Sequence, residues 1–139
     1  MQHHRERPHD DVWFQHVGER VNVALAPVVG VRAHANATIV VGDRHTAVID
    51  TTFRPERAAA VRAEAERLGP GRPVHVVVLT HADPDHVMGL AAYGAPVVVG
   101  SAAAAAVLRD PVVTRAYAGS VQVAAFGAPE SNVTRRRSA

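Results

Sequence analysis

Four side chains able to bind a metal ion fall within six positions, His81, Asp83, Asp85 and His86, in the run Thr80-His81-Ala82-Asp83-Pro84-Asp85-His86-Val87-Met88-Gly89. Imidazole nitrogen and carboxylate oxygen together suit Zn²⁺, as one ion or two, and the same donors serve Fe or Mn. The chain has no Cys, so disulfides, thiolate metal sites and Cys nucleophiles are excluded. Asp is also common at helix starts, where it accepts backbone N–H bonds, and a lone acid in this loop would be read that way. Four candidate ligands in six positions, with Thr before and Gly after, read instead as a metal site.

Such a cluster needs a fixed backbone. The apolar run Val76-Val77-Val78-Leu79 directly before it reads as the end of a buried strand, Val74 to Leu79. Further strands are expected at Val12–Val17, from Val21 toward Val29 with Pro27 marking an edge or bend, at Ala35–Val41 and at Thr46–Thr51. Gly42-Asp43-Arg44-His45 supplies the hairpin loop between the last two. Between Arg54 and Leu68 the period changes: Ala58, Val61, Ala65 and Leu68 recur at spacings of three and four, with Arg57, Glu64, Glu66 and Arg67 placed elsewhere on the cylinder. Pro55 suits the first turn of that helix, and Gly69-Pro70-Gly71 stops it. After the loop, a short helix from His86 to about Tyr93, a strand Pro96–Val99 and a helix Ala102–Arg109 capped by Ser101 are expected. A helical turn at Val113–Ala118 and a last strand at Val121–Ala125 complete the order.

Thr-His-x-Asp-x-Asp-His-x-x-Gly is similar to the Thr-His-x-His-x-Asp-His signature of the metallo-β-lactamase superfamily. The resemblance implies an α/β fold, the N-terminal half of an αββα metallo-β-lactamase-type sandwich. It implies that His81 belongs to a first metal and that Asp85 and His86 belong to a second. Asp83 stands where the family usually has its second His, and a carboxylate there moves metal preference from Zn²⁺ toward Fe or Mn. Asp85 is implied to orient a metal-activated water as well as to bind. Ile49-Asp50-Thr51 is similar to the family's apolar-Asp-Thr-Gly strand end beside the metals, with Thr52 in place of the Gly; Asp50 also reads simply as a turn residue after a strand. Asn36 before the hairpin is a further, weaker similarity.

The resemblance also implies ligands that are missing here. No His follows His86, and the only later acids are Asp110 and Glu130. Each implied ion would hold two residues of this loop. The expected function is therefore a metal-dependent hydrolase acting on an ester, thioester, lactone or similar bond of a small-molecule substrate, incomplete as this chain. The alternative is a non-catalytic or truncated member that needs a partner chain to complete fold and site. One half of a sandwich leaves a Val-rich sheet face to be covered, which implies a homo-oligomer or a complementing chain. An anion-binding α/β module is disfavoured, because Gly69-Pro70-Gly71 precedes a strand rather than opening a helix.

At 139 residues the chain is one domain at most, and 47% hydrophobic with 20% charged residues is a globular composition. The expected division is a disordered tail over 1–11, a partial domain over 12–126 and a disordered tail over 127–139. All basic residues are Arg, the formal net charge is +2, and the run Arg135-Arg136-Arg137 is too short to argue for nucleic acid. His3, His4 and His9 form a loose His-rich tail that can chelate metal adventitiously. The N-terminus lacks the apolar core of a signal peptide and no apolar run reaches membrane-spanning length, so a cytoplasmic location without membrane contact is expected.

Overall fold

Alternating apolar residues build a six-stranded mixed sheet in the computed structural model, which describes residues 12–25, 35–94 and 96–112. β1 (Trp13–Gly18), β2 (Val21–Leu25), β3 (Ala37–Val41) and β4 (Thr46–Ile49) form an antiparallel meander in chain order. β5 (Val74–Val78) and β6 (Val97–Val99) then add in parallel, each after a helical crossover. The Gly42–His45 hairpin closes with the Gly42 N–H donating to the His45 carbonyl at 2.9 Å.

One row across the sheet shows how the pleat sorts the sequence. Asn22, Ile39, Val48, Val77 and Val98 are successive cross-strand partners on one face. Helix α1 (Pro55–Leu68) lies against that face, over β3 and β5, and its Ala58, Val61 and Ala65 close on Ile39, Val48 and Val77. Removing a Val or Ile side chain of this kind from water contributes about 1.5–3 kcal/mol. The opposite face carries Val21, Val40, Ala47, Val76 and Val97 in one row and Val23, Thr38, Ile49, Val78 and Val99 in the next. Val97 and Val99 there remain 48% and 43% exposed.

Two expectations change. Arg57 and Glu64 are buried, not set apart from the apolar stripe. They are seven residues apart, so after two turns they fall in line with each other and beside Val61. Glu64 is answered from outside by Arg67, whose Nε and Nη2 donate to the two carboxylate oxygens at 2.9 and 2.6 Å. The expected helix from His86 to Tyr93 is in fact two pieces, helix α2 (Pro84–Val87) and a 3-10 turn (Leu90–Tyr93). Pro84 starts α2 earlier, and Gly89 breaks the run. A third helix, α3 (Ala102–Arg109), is capped as expected, with Ser101 Oγ accepting from the Ala104 N–H at 3.1 Å.

The expected elements at Val113–Ala118 and Val121–Ala125, the stretch beyond Leu25 toward Val29, and both expected tails lie outside the described residues. Among the described residues, no helix is long and apolar enough to cross a membrane.

Gly89 breaks the helix because the chain there touches the end of β4. A Cβ at Gly89 would sit 2.1 Å from the Thr51 carbonyl oxygen and 2.6 Å from Ala58 Cβ. Neither neighbour is a flexible side-chain tip. Gly89→Ala is therefore expected to destabilise the fold by about 3 kcal/mol. Gly100→Ala, where the nearest atom is 3.6 Å away, is expected to stay within about 1 kcal/mol of the parent. Urea denaturation of the two variants checks both.

Candidate metal centre

β4 and β5 run parallel, so both deliver their C-terminal ends to the same edge of the sheet. Asp50 and Thr80 follow those ends. Asp50 is held in place by its own N–H, which donates to the Val78 carbonyl at 2.8 Å. Its φ of +61° is one that Asp tolerates better than most residues.

The Asp50 carboxylate is buried, and three polar groups of the motif lie against it. The Thr80 N–H donates to Oδ1 at 2.9 Å, and the Thr80 hydroxyl lies 2.8 Å from Oδ2. His86 Nδ1 lies 2.8 Å from the same Oδ2. Of the two readings of Asp50 open in the sequence, the structure selects the one that places it against the motif. Thr51 holds the same histidine by its backbone: the Thr51 N–H and its hydroxyl both donate to the His86 carbonyl at 2.9 Å. The Thr51 hydroxyl in turn accepts from the Gly89 N–H at 3.1 Å. His86 is thus fixed at ring and main chain by consecutive residues of one turn. Sequence reasoning missed Thr51 and Thr80 as positioning groups. The available signal was their place at the ends of two strands expected to be neighbours.

The four candidate ligands separate into two pairs. His81 Nε2 is 3.4 Å from Asp83 Oδ2, and His86 Nε2 is 3.5 Å from Asp85 Oδ2. The two rings are themselves close, with centroids 3.8 Å apart and tilted by 48°. Two ligands of a tetrahedral ion, at ordinary Zn–N and Zn–O lengths, stand roughly 3.4 Å apart. Each pair therefore has the donor types and the spacing of one edge of a coordination shell. The inner pair, His86 and Asp85, is 19% and 30% exposed, while the outer pair, His81 and Asp83, is 48% and 73% exposed. Among the described residues, no group of three or more His, Asp or Glu side chains gathers where it could hold an ion. The donors present fit a metal as two half-shells and not as a closed site. Asp83 occupies the N-cap position of α2 but makes no side-chain capping bond, so helix capping does not account for it.

Comparison with known proteins bears on the family and the fold. The family model described as the metallo-beta-lactamase superfamily matches residues 30–130. Among solved structures, the mono-zinc form of the metallo-β-lactamase FIM-1 from Pseudomonas aeruginosa is similar, with 22% identity and a TM-score of 0.57 over 69% of this chain and 44% of that one. A metallo-β-lactamase from Hirschia baltica aligns with 18% identity and a TM-score of 0.57 over 78% of this chain and 48% of that one. One from Erythrobacter litoralis, with beta-mercaptoethanol in its active site, aligns with 24% identity and a TM-score of 0.57 over 80% and 47%. The likeness is one of fold, and the chain spans less than half the length of these structures. No curated protein matches at a significant level.

The turn that carries Asp50 stores strain two residues on. Thr52, a β-branched residue, sits at φ +68°, is buried, and its hydroxyl has no hydrogen-bond partner among the described residues. A left-handed conformation costs an L-residue about 1–2 kcal/mol, and an unpaired buried hydroxyl adds to that. Glycine would relieve both while losing a small buried side chain and some chain entropy. Thr52→Gly is expected to raise stability by about 1 kcal/mol, measured as a shift of the urea midpoint. Thr52→Ala, which keeps the strained φ, is expected to gain less.

Proposed function

Because this chain belongs to the metallo-β-lactamase superfamily, we propose that it is built for metal-dependent hydrolysis. In this reading the loop His81–His86 holds one or two zinc ions, or iron or manganese in their place. The observation that carries the reading is the pair of His–Asp edges at 3.4 and 3.5 Å. His81 and Asp83 would hold one ion, and Asp85 and His86 the other. A metal bound there supplies a water activated at neutral pH and polarises the bond to be cleaved. The chain's own contribution is to position. Asp50 and Thr51 keep the His86 ring and backbone still, and Asp85 would orient the attacking water as well as bind. The substrate is a small molecule carrying an ester, thioester, lactone or similar bond. Neither nucleic acid nor membrane enters this reading.

A second reading is supported by the open shells. Two donors per ion are too few for tight binding, and the described residues offer no third. The chain also spans 44–48% of the length of the structures it resembles. On this reading a second copy or a complementing chain covers the Val-rich face and brings the remaining ligands. Metal content, turnover of ester, thioester and lactone substrates, and mass in solution, measured together, separate the two.

Metal analysis of the purified chain by mass spectrometry is the direct test. The double change His81→Ala plus His86→Ala is expected to abolish stoichiometric metal. Metal content unchanged in that variant would move suspicion to His3, His4 and His9. Asp83→His is expected to raise zinc affinity relative to iron or manganese, since imidazole is the softer donor. Competition binding that ranks the metals identically for the Asp and His forms would remove that argument.

A further inference from the structure

The geometry points to the Thr80 hydroxyl as the positioning group that sets the tautomer of His81, leaving Nε2 of that ring free to bind. The argument is a count of protons. As a carboxylate Asp50 can only accept, and the Thr80 hydroxyl, 2.8 Å from Asp50 Oδ2, has a single proton to give. Once that proton points at Asp50, the hydroxyl can only accept from its other neighbours. His81 Nδ1 lies 2.9 Å from Thr80 Oγ1 and so must carry its proton on Nδ1. His86 Nδ1, 2.8 Å from Asp50 Oδ2 and 3.4 Å from Thr80 Oγ1, faces acceptors only and must be protonated on Nδ1 as well. Both imidazoles then present a bare Nε2.

That assignment explains the second half of the geometry. With Nε2 unprotonated, His81 Nε2 opposite Asp83 Oδ2 and His86 Nε2 opposite Asp85 Oδ2 are two acceptor–acceptor contacts, at 3.4 and 3.5 Å. Two lone pairs facing each other repel unless a cation lies between them. The chain of bonds from Asp50 through Thr80 to His81 thus creates demand for positive charge at the outer pair, where exposure is greatest. His86 reaches Asp50 directly and does not depend on Thr80. The functional meaning of this device rests on the metal-site reading of the loop; the tautomers themselves do not.

The test is nitrogen-15 NMR of the metal-free protein, histidine-labelled, at a pH where imidazole is neutral. In the parent, His81 and His86 are both expected as the Nδ1–H tautomer. Thr80→Val keeps the shape and removes the hydroxyl. It is expected to move His81 toward the Nε2–H form that free imidazole favours, while His86 stays as it was. Thr80→Ser is expected to restore the parent pattern. A general structural disturbance would shift both rings, and the Ser variant would not rescue only one. Zinc titration of the Val variant is expected to show affinity lower by roughly 10- to 100-fold, the usual effect of losing a group that orients a ligand. A parent protein with His81 in the Nε2–H form overturns the assignment even if Thr80→Val fails to fold, as does a folded Val variant with an unchanged His81. A parent that shows both tautomers as stated but binds no zinc upholds the role of Thr80 and defeats the metal-site reading instead.

Discussion

A carboxylate removed from water must be answered by hydrogen bonds, or its burial costs several kcal/mol. Asp50 is such a group, and everything at the motif end of this sheet is arranged around it. Its two oxygens take a backbone N–H and a hydroxyl from Thr80 and lie against the His86 ring nitrogen, all from residues thirty or more positions later in the chain. Removing the acid would strand those donors together. The Asp50 side chain therefore ties β4 to the loop after β5 and aims a histidine in the same act. The left-handed turn at Asp50 and Thr52, the clamp of Thr51 on the His86 carbonyl and the close approach of Gly89 all follow from bringing that loop within reach of one side chain.

The donor set beyond Asp50 has a division of labour. The inner pair is anchored from behind and partly sheltered, while the outer pair is anchored through a single hydroxyl and stands in solvent. Asp83 adds a formal charge where the family pattern has a neutral ring. The loop then carries two carboxylates, Asp83 and Asp85, beside two imidazoles, with the buried Asp50 carboxylate behind them at the end of β4.

Much of this was legible in the sequence, for identifiable reasons. Runs such as Val76–Leu79 and Ala37–Val41 alternate or saturate with Val, and, apart from β2, whose expected end lies outside the described residues, the strands formed within a residue or two of their expected bounds. Pro55, Gly69 and Ser101 marked helix ends because each fills a backbone role that few residues fill. The motif lay at a strand end, as its spacing required. Other features could not be read. The charge of Arg57 and Glu64 points to the solvent side of α1, but their seven-residue spacing sets them in line beside Val61, and both are buried. The break at Gly89 depends on contact with Thr51, thirty-eight residues away, and no local period reports that. The tie of Thr80 to Asp50 is equally non-local, as is the pairing of His81 with Asp83 and of His86 with Asp85 across a turn whose shape the sequence leaves open.

The parallel seam between β4 and β5 also divides the molecule in time. Strands β1 and β2, and β3 and β4, pair with their chain neighbours across two- and four-residue connections and can close early. The bonds that make the site span 30, 35 and 38 residues, with the whole of α1 between their ends. Loop-closure entropy must be met before any of them forms. Those contacts are therefore expected to form late in folding, and a chain that has formed only its meander has a sheet without the loop after β5 seated against it.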